Sequence, residues 1–138
     1  MTLVQKAGSL LAVLALAACA HTMAGKRVNV TLSGAEEVPP VSTAARGSGS
    51  FTIGADGAVS GSVTTTGVQG TMAHIHMAAK GQNGPVIVPL TKSGDTYTAP
   101  AGAKLNDAQM AAYKAGNLYV NVHSEANKGG EVRGQLRP

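Results

Sequence analysis

From residue 28 onwards, apolar and polar positions alternate in short runs separated by glycine. VNVTL (28–32) sets Val28, Val30 and Leu32 on one face and Asn29 and Thr31 on the other, the period of two expected of a half-buried strand. SGSFTI (48–53) and AVSGSVTT (58–65) flank Gly54-Ala55-Asp56-Gly57, where the Asp-Gly step signals a hairpin. AHIHM (73–77), VIVPL (86–90) and TYTA (96–99) follow, with a loop over 78–85 and a turn at Ser93-Gly94-Asp95. LYVNVH (118–123) is a clean strand: Leu118, Val120 and Val122 face one way, and Tyr119, Asn121 and His123 the other. After a loop over 124–130, EVRGQL (131–136) turns Val132 and Leu136 to the core and Glu131, Arg133 and Gln135 outwards.

One segment breaks this period. In DAQMAAYKA (107–115), Asn106 or Asp107 can cap the first turn, and Gly116 stands where a left-handed C-terminal cap belongs. Met110 and Tyr113 are expected to pack inwards from this helix. About seven or eight short strands within about 110 residues, joined by glycine-rich turns, predict an all-β fold. The expected form is a small antiparallel sandwich or barrel with one short helix. There is no internal repeat and no second domain.

Composition narrows the possibilities. Only Phe51, Tyr97, Tyr113 and Tyr119 are aromatic, so aliphatic side chains must build the core. The net charge of +4 comes from scattered Lys and Arg, with no basic run and no aromatic residues interleaved with it. A nucleic-acid partner is therefore not expected. No nucleophile elbow, P-loop or supported carboxylate pair is present, so catalysis is not expected either. Gly81-Gln82-Asn83-Gly84 is too short for a phosphate cradle and is assigned to a turn.

The N-terminal segment has the parts of an export leader: Lys6, then an apolar run over 7–18 that is shorter than the ~20 residues of a membrane-spanning helix. Leu16-Ala17-Ala18-Cys19 resembles a bacterial lipobox. The resemblance implies cleavage after Ala18 and a diacylglyceryl thioether on Cys19, the only cysteine in the chain. A doubly acylated residue gives stable membrane anchoring. The expected division is a signal peptide over 1–18, a lipidated tether over 19–27 and a domain over 28–138. Removing Lys6 leaves ten basic against seven acidic side chains. Ala20 after the cysteine resembles Gram-negative sorting to the outer membrane, which implies a lipid-anchored protein of the cell envelope facing the periplasm.

The strongest candidate for chemistry is His74-Ile75-His76. On a strand, residues two apart share a face, so both imidazoles leave one side while Ile75 enters the core. Paired imidazoles suit copper or zinc. If strand 118–123 lies beside strand 73–77, His123 joins them, with Asn121, Glu131 and Arg133 as a surrounding polar shell and Met72 and Met77 as soft donors for Cu(I). Two alternatives stand beside this. The histidines can be ordinary polar surface, and Asn121, His123, Glu131 and Arg133 can form a cross-strand cluster that fixes register without any ligand.

TLSGAEEVPPV (31–41), GTMAHIHMAAKGQNGPVIVPL (70–90) and AGNLYVNVHSEANKGGEVRGQLRP (115–138) resemble, in order, the CHRD domain, named after repeats in animal chordin. The likeness covers about 28–137. It implies an immunoglobulin-like or related β-barrel; in chordin the repeats belong to a protein that sequesters a secreted growth factor, a partner the resemblance does not carry over to this chain. AHIH (73–76) and His123 also bear a weaker likeness to copper/zinc superoxide dismutases, but those enzymes need further histidines and a disulfide that one cysteine cannot form. The expected function is a non-catalytic envelope binding module, directed at copper or zinc or at another envelope protein.

Overall fold

The computed structural model describes residues 25–138. The leader, Cys19 and most of the expected tether lie outside the described residues. Eight strands form the domain: β1 (Lys26–Ser33), β2 (Arg46–Ile53), β3 (Val59–Thr66), β4 (Gly70–Met77), β5 (Val86–Ser93), β6 (Thr96–Thr98), β7 (Leu118–Ser124) and β8 (Val132–Leu136). All pairings are antiparallel, in the closed order β1-β2-β3-β6-β5-β4-β7-β8. Ser33 opposite Arg133 joins β8 to β1. The sandwich-or-barrel expectation thus resolves as a barrel, which leaves no open sheet edge.

The alternation in the sequence explains the filling. Val28, Val30 and Leu32 of β1 and Phe51 and Ile53 of β2 are buried in one core with Val120, Val122 and Val132. Each such aliphatic side chain contributes about 1.5–3 kcal/mol by leaving water. The first ladder runs further towards the N-terminus than the alternation suggested. Lys26 and Arg27 are exposed yet pair with Ile53 and Thr52, because backbone hydrogen bonding needs no apolar side chain.

Between β6 and β7 the chain forms the helix α1 (Asp107–Lys114). Asn106 caps it: its side chain accepts from the Gln109 amide at 2.9 Å, and Gln109 accepts from the Asn106 amide at 2.9 Å. Gly116, at φ +77°, ends it in the left-handed conformation that glycine adopts without strain. Tyr113 is buried against the core, and Met110 is packed partly against it.

The strand that positions the site is β7, which is buried at every residue. Its inner face, Leu118, Val120 and Val122, belongs to the barrel core. Its outer face lies beneath connecting segments. Gly84 reaches Tyr119, Gly129 reaches Asn121, and Lys128 reaches His123. The outward-facing residues of β7 are therefore turned away from the core but not towards water.

Candidate metal centre

Register brings the three domain histidines together. His74 and His76 project from the same face of β4. Along the β4–β7 ladder, His76 stands opposite Tyr119, His74 opposite Asn121, and Met72 opposite His123. His123 is thus one step along the sheet from His74, and its Nε2 lies 3.1 Å from His74 Nδ1. One nitrogen from each of the three rings lies within 4.8 Å of the other two. A tetrahedral ion with metal–nitrogen bonds of about 2.0–2.1 Å sets its ligands about 3.3 Å apart. The His74–His123 pair already stands at that spacing.

Backbone carbonyls fix two of the rings. His123 Nδ1 lies 2.8 Å from the Lys128 carbonyl, and His76 Nδ1 lies 2.9 Å from the Gly84 carbonyl. A carbonyl oxygen only accepts, so each Nδ1 carries the proton and each Nε2 keeps its lone pair. That lone pair on His123 is met by the N–H of His74 Nδ1. His76 Nε2 is buried and has no hydrogen-bond partner. A second-ring nitrogen tied to a carbonyl is the usual outer support of a metal-bound histidine.

The carbonyl at Gly84 is itself held in place. Tyr119 stacks flat on His76, with ring centroids 4.7 Å apart and planes within 1°. Its hydroxyl accepts from the Gly84 amide at 3.2 Å. Arg133 sets its guanidinium carbon 3.4 Å from the Tyr119 ring centroid. The guanidinium also donates to Gln82 O at 2.6 Å and to Asn83 Oδ1 at 3.1 Å. Asn83 in turn donates to the Val38 carbonyl at 2.9 Å. The 81–84 turn is thus a strap pinned over β7, with Arg133 only 1% exposed beneath it.

Electrostatics favours neutral rings at His74 and His76. Burial lowers the His74 pKa to about 4, assisted by repulsion from His123 and His76. Burial also lowers that of His76, against the opposing influence of the Gly84 carbonyl and the Asn121 amide. A ring that resists protonation keeps its lone pair available to an ion in mildly acid solution.

The remaining polar residues go to different places. Asn121 donates to Gly129 O at 3.4 Å and stands against both His76 and Glu37, while its own Oδ1 is buried without a partner. Glu131 is engaged away from the imidazoles, accepting from Ser124 at 2.7 Å, Thr43 at 2.9 Å and Asn127 at 3.2 Å. Burial opposes its charge, but these three donors outweigh burial and hold its pKa below the ordinary carboxylate value. The side chains of Asn121, His123, Glu131 and Arg133 each bond to a loop segment or a neighbouring side chain, and no side-chain hydrogen bond joins any two of the four, although Asn121 and Arg133 are paired in the β7–β8 ladder. Met77 lies on the opposite face from the histidines and packs partly against the core.

Glu37 and two backbone carbonyls also contribute, and nothing in the spacing of side chains pointed to them. Glu37, in the loop after β1, is buried with Oε1 unpartnered, and burial raises its pKa to about 7 against the lowering influence of Arg133, Asn121 and the Val38 amide. The carbonyls of Gly84 and Lys128 carry no side-chain signal at all.

An antiparallel β-barrel with an imidazole trio beneath its connecting loops defines the class. Residues 28–136 match the CHRD domain, and the chain belongs to that family. No curated protein and no solved structure matches the chain.

Proposed function

We propose that this CHRD barrel is a lipid-anchored envelope module that binds copper or zinc through His74, His76 and His123. The observation that carries the reading is the buried, unpartnered Nε2 of His76, beside two imidazole nitrogens already 3.1 Å apart. An unpaired buried acceptor costs about 1–3 kcal/mol, and an ion relieves that cost. His76 and His123 each offer a fixed Nε2, and His74 would join them through Nδ1 in its other neutral tautomer, the proton moving from Nδ1 to Nε2. Gly84 and Lys128 hold the first two rings. Tyr119, Arg133 and Asn83 hold Gly84. The bound ion would supply a Lewis-acidic centre; the protein supplies imidazole donors held from outside by loop segments.

The anchor is the second half of the proposal and rests on the Leu16-Ala17-Ala18-Cys19 lipobox resemblance. The test of the binding half is calorimetric titration of the full chain, purified in mild detergent, with Cu(II), Cu(I) and Zn(II). Binding at one equivalent, lost in a His74→Ala/His76→Ala variant, is expected. Equal affinity in parent and variant overturns it.

A further inference from the structure

We propose that Met72 is a fourth, thioether ligand of this site and makes it selective for Cu(I) over Zn(II); the inference rests on the imidazole trio being a metal site.

Three observations lead to Met72. It shares the outward face of β4 with His74 and His76, two and four residues away. It is also the direct cross-strand neighbour of His123. Directly opposed residues on an antiparallel pair have Cβ atoms about 4.5–5.5 Å apart. The long, unbranched side chain of methionine thus starts next to one ligand and on the same row as the other two.

The third observation is exposure. Met72 is 50% exposed and Val86 48%, the two large apolar side chains left in water among the described residues. Both border the trio, for Val86 is the cross-strand partner of His76 on β5. Met77, five residues on and of opposite parity, is packed partly against the core instead. Core packing therefore does not account for a methionine at position 72. A ligand role does: residue 72 continues the row of His74 and His76 and stands opposite His123, whose ring is held by the Lys128 carbonyl.

The donor set then decides the ion. Imidazoles alone serve zinc and both copper states, whereas a thioether is a soft donor that favours Cu(I). Among the described residues, no carboxylate joins the trio to offset the charge of a dication. Arg133 adds a buried positive charge whose field reaches His76. Repulsion from a fixed cation is half as large for a monovalent ion as for a divalent one at the same place. Softness and charge therefore favour the same ion.

The test uses the full chain in mild detergent, with Cu(I) affinity measured against a colorimetric Cu(I) chelator under reducing, anaerobic conditions and Zn(II) affinity by a parallel competition. The variant is Met72→Leu, which keeps size and apolar character at an exposed position. Removing even an outer support of a metal site costs 10–100-fold, so loss of a ligand is expected to weaken Cu(I) by about tenfold or more. Zn(II) affinity is expected to stay within about twofold, a change too small to reflect a lost ligand. X-ray absorption at the copper edge is expected to give one sulfur scatterer in the parent and none in the variant. Unchanged Cu(I) affinity with no sulfur scatterer in the parent overturns the Met72 proposal and leaves the histidine site standing. Failure of the parent to bind Cu(I), Cu(II) or Zn(II) overturns both.

Discussion

The Glu37 carboxyl makes a quantitative test of how the loops are packed over β7. Its side chain is 4% exposed, and Oε1 is unpartnered beneath Gly130. Burial raises its pKa from 4.5 to about 7, with Arg133, Asn121 and the Val38 amide opposing. An unfolded chain releases this proton near pH 4.5, but the folded protein keeps it until about pH 7. Between those values the native state binds more protons than the unfolded state, so stability falls as pH rises. Above pH 7 both states are ionised and the contribution is constant. A shift of about 2.5 units at 1.36 kcal/mol per unit gives a loss of about 3 kcal/mol across the window.

Glu37→Gln removes the titration and keeps the shape. His74 and His76 complicate the parent alone, because their lowered pKa values make stability rise with pH over a neighbouring range. The difference between parent and variant cancels that contribution. Urea unfolding of both metal-free proteins from pH 4.5 to 8 is the assay. The parent is expected to lose about 3 kcal/mol relative to Glu37→Gln between pH 4.5 and 7, then run parallel to it. Parallel curves throughout refute the argument and mean that water or a rearranged loop reaches the carboxylate.

Two further outcomes follow from the same structure. Arg133→Lys loses the planar fork that reaches Gln82, Asn83 and the Tyr119 face together, so a loss of about 2 kcal/mol and faster proteolysis within 78–85 are expected; urea midpoints and cleavage mapping check this. Cys19→Ala is expected to move the protein from the detergent phase to the aqueous phase on phase separation, and unchanged partitioning refutes lipidation.

Much of the barrel was legible because its strands obey a period of two. Val28, Val30 and Leu32 declare their face, as do Leu118, Val120 and Val122, and all six are buried. The capping box at Asn106 and the glycine at 116 bounded the helix for equally local reasons. Less legible was where alternation weakens. VIVPL ends at residue 90, but β5 continues through Ser93, since Thr91, Lys92 and Ser93 pair with β6 through the backbone while their side chains are exposed. Its ladder with β4 also shifts register between Ile75 and His76, an irregularity that no side-chain pattern encodes.

The candidate site divides in the same way. His74 and His76 could be placed on one face by spacing alone, and His123 could join them only if β7 lay beside β4, which is a property of strand order rather than of any local segment. What covers them was invisible. A polar residue on the outer face of a strand has the same spacing whether water or a loop lies above it, so Tyr119, Asn121 and His123 gave no sign of being buried. The supports are harder still, because they are carbonyls at Gly84 and Lys128 and a lone carboxyl at Glu37 in an aperiodic loop. Gly130 shows how much depends on such places. Its φ of +124° lies where side chains are strained, and a Cβ there would strike Glu37 Oε1 and the Asn121 amide. The glycine lets the 125–131 segment close down on the very residues that stand against His76 and Arg133. The imidazole trio is therefore held from outside the barrel by chain segments whose information lies in backbone conformation. A change at one of these supports is expected to act on the site without touching a ligand.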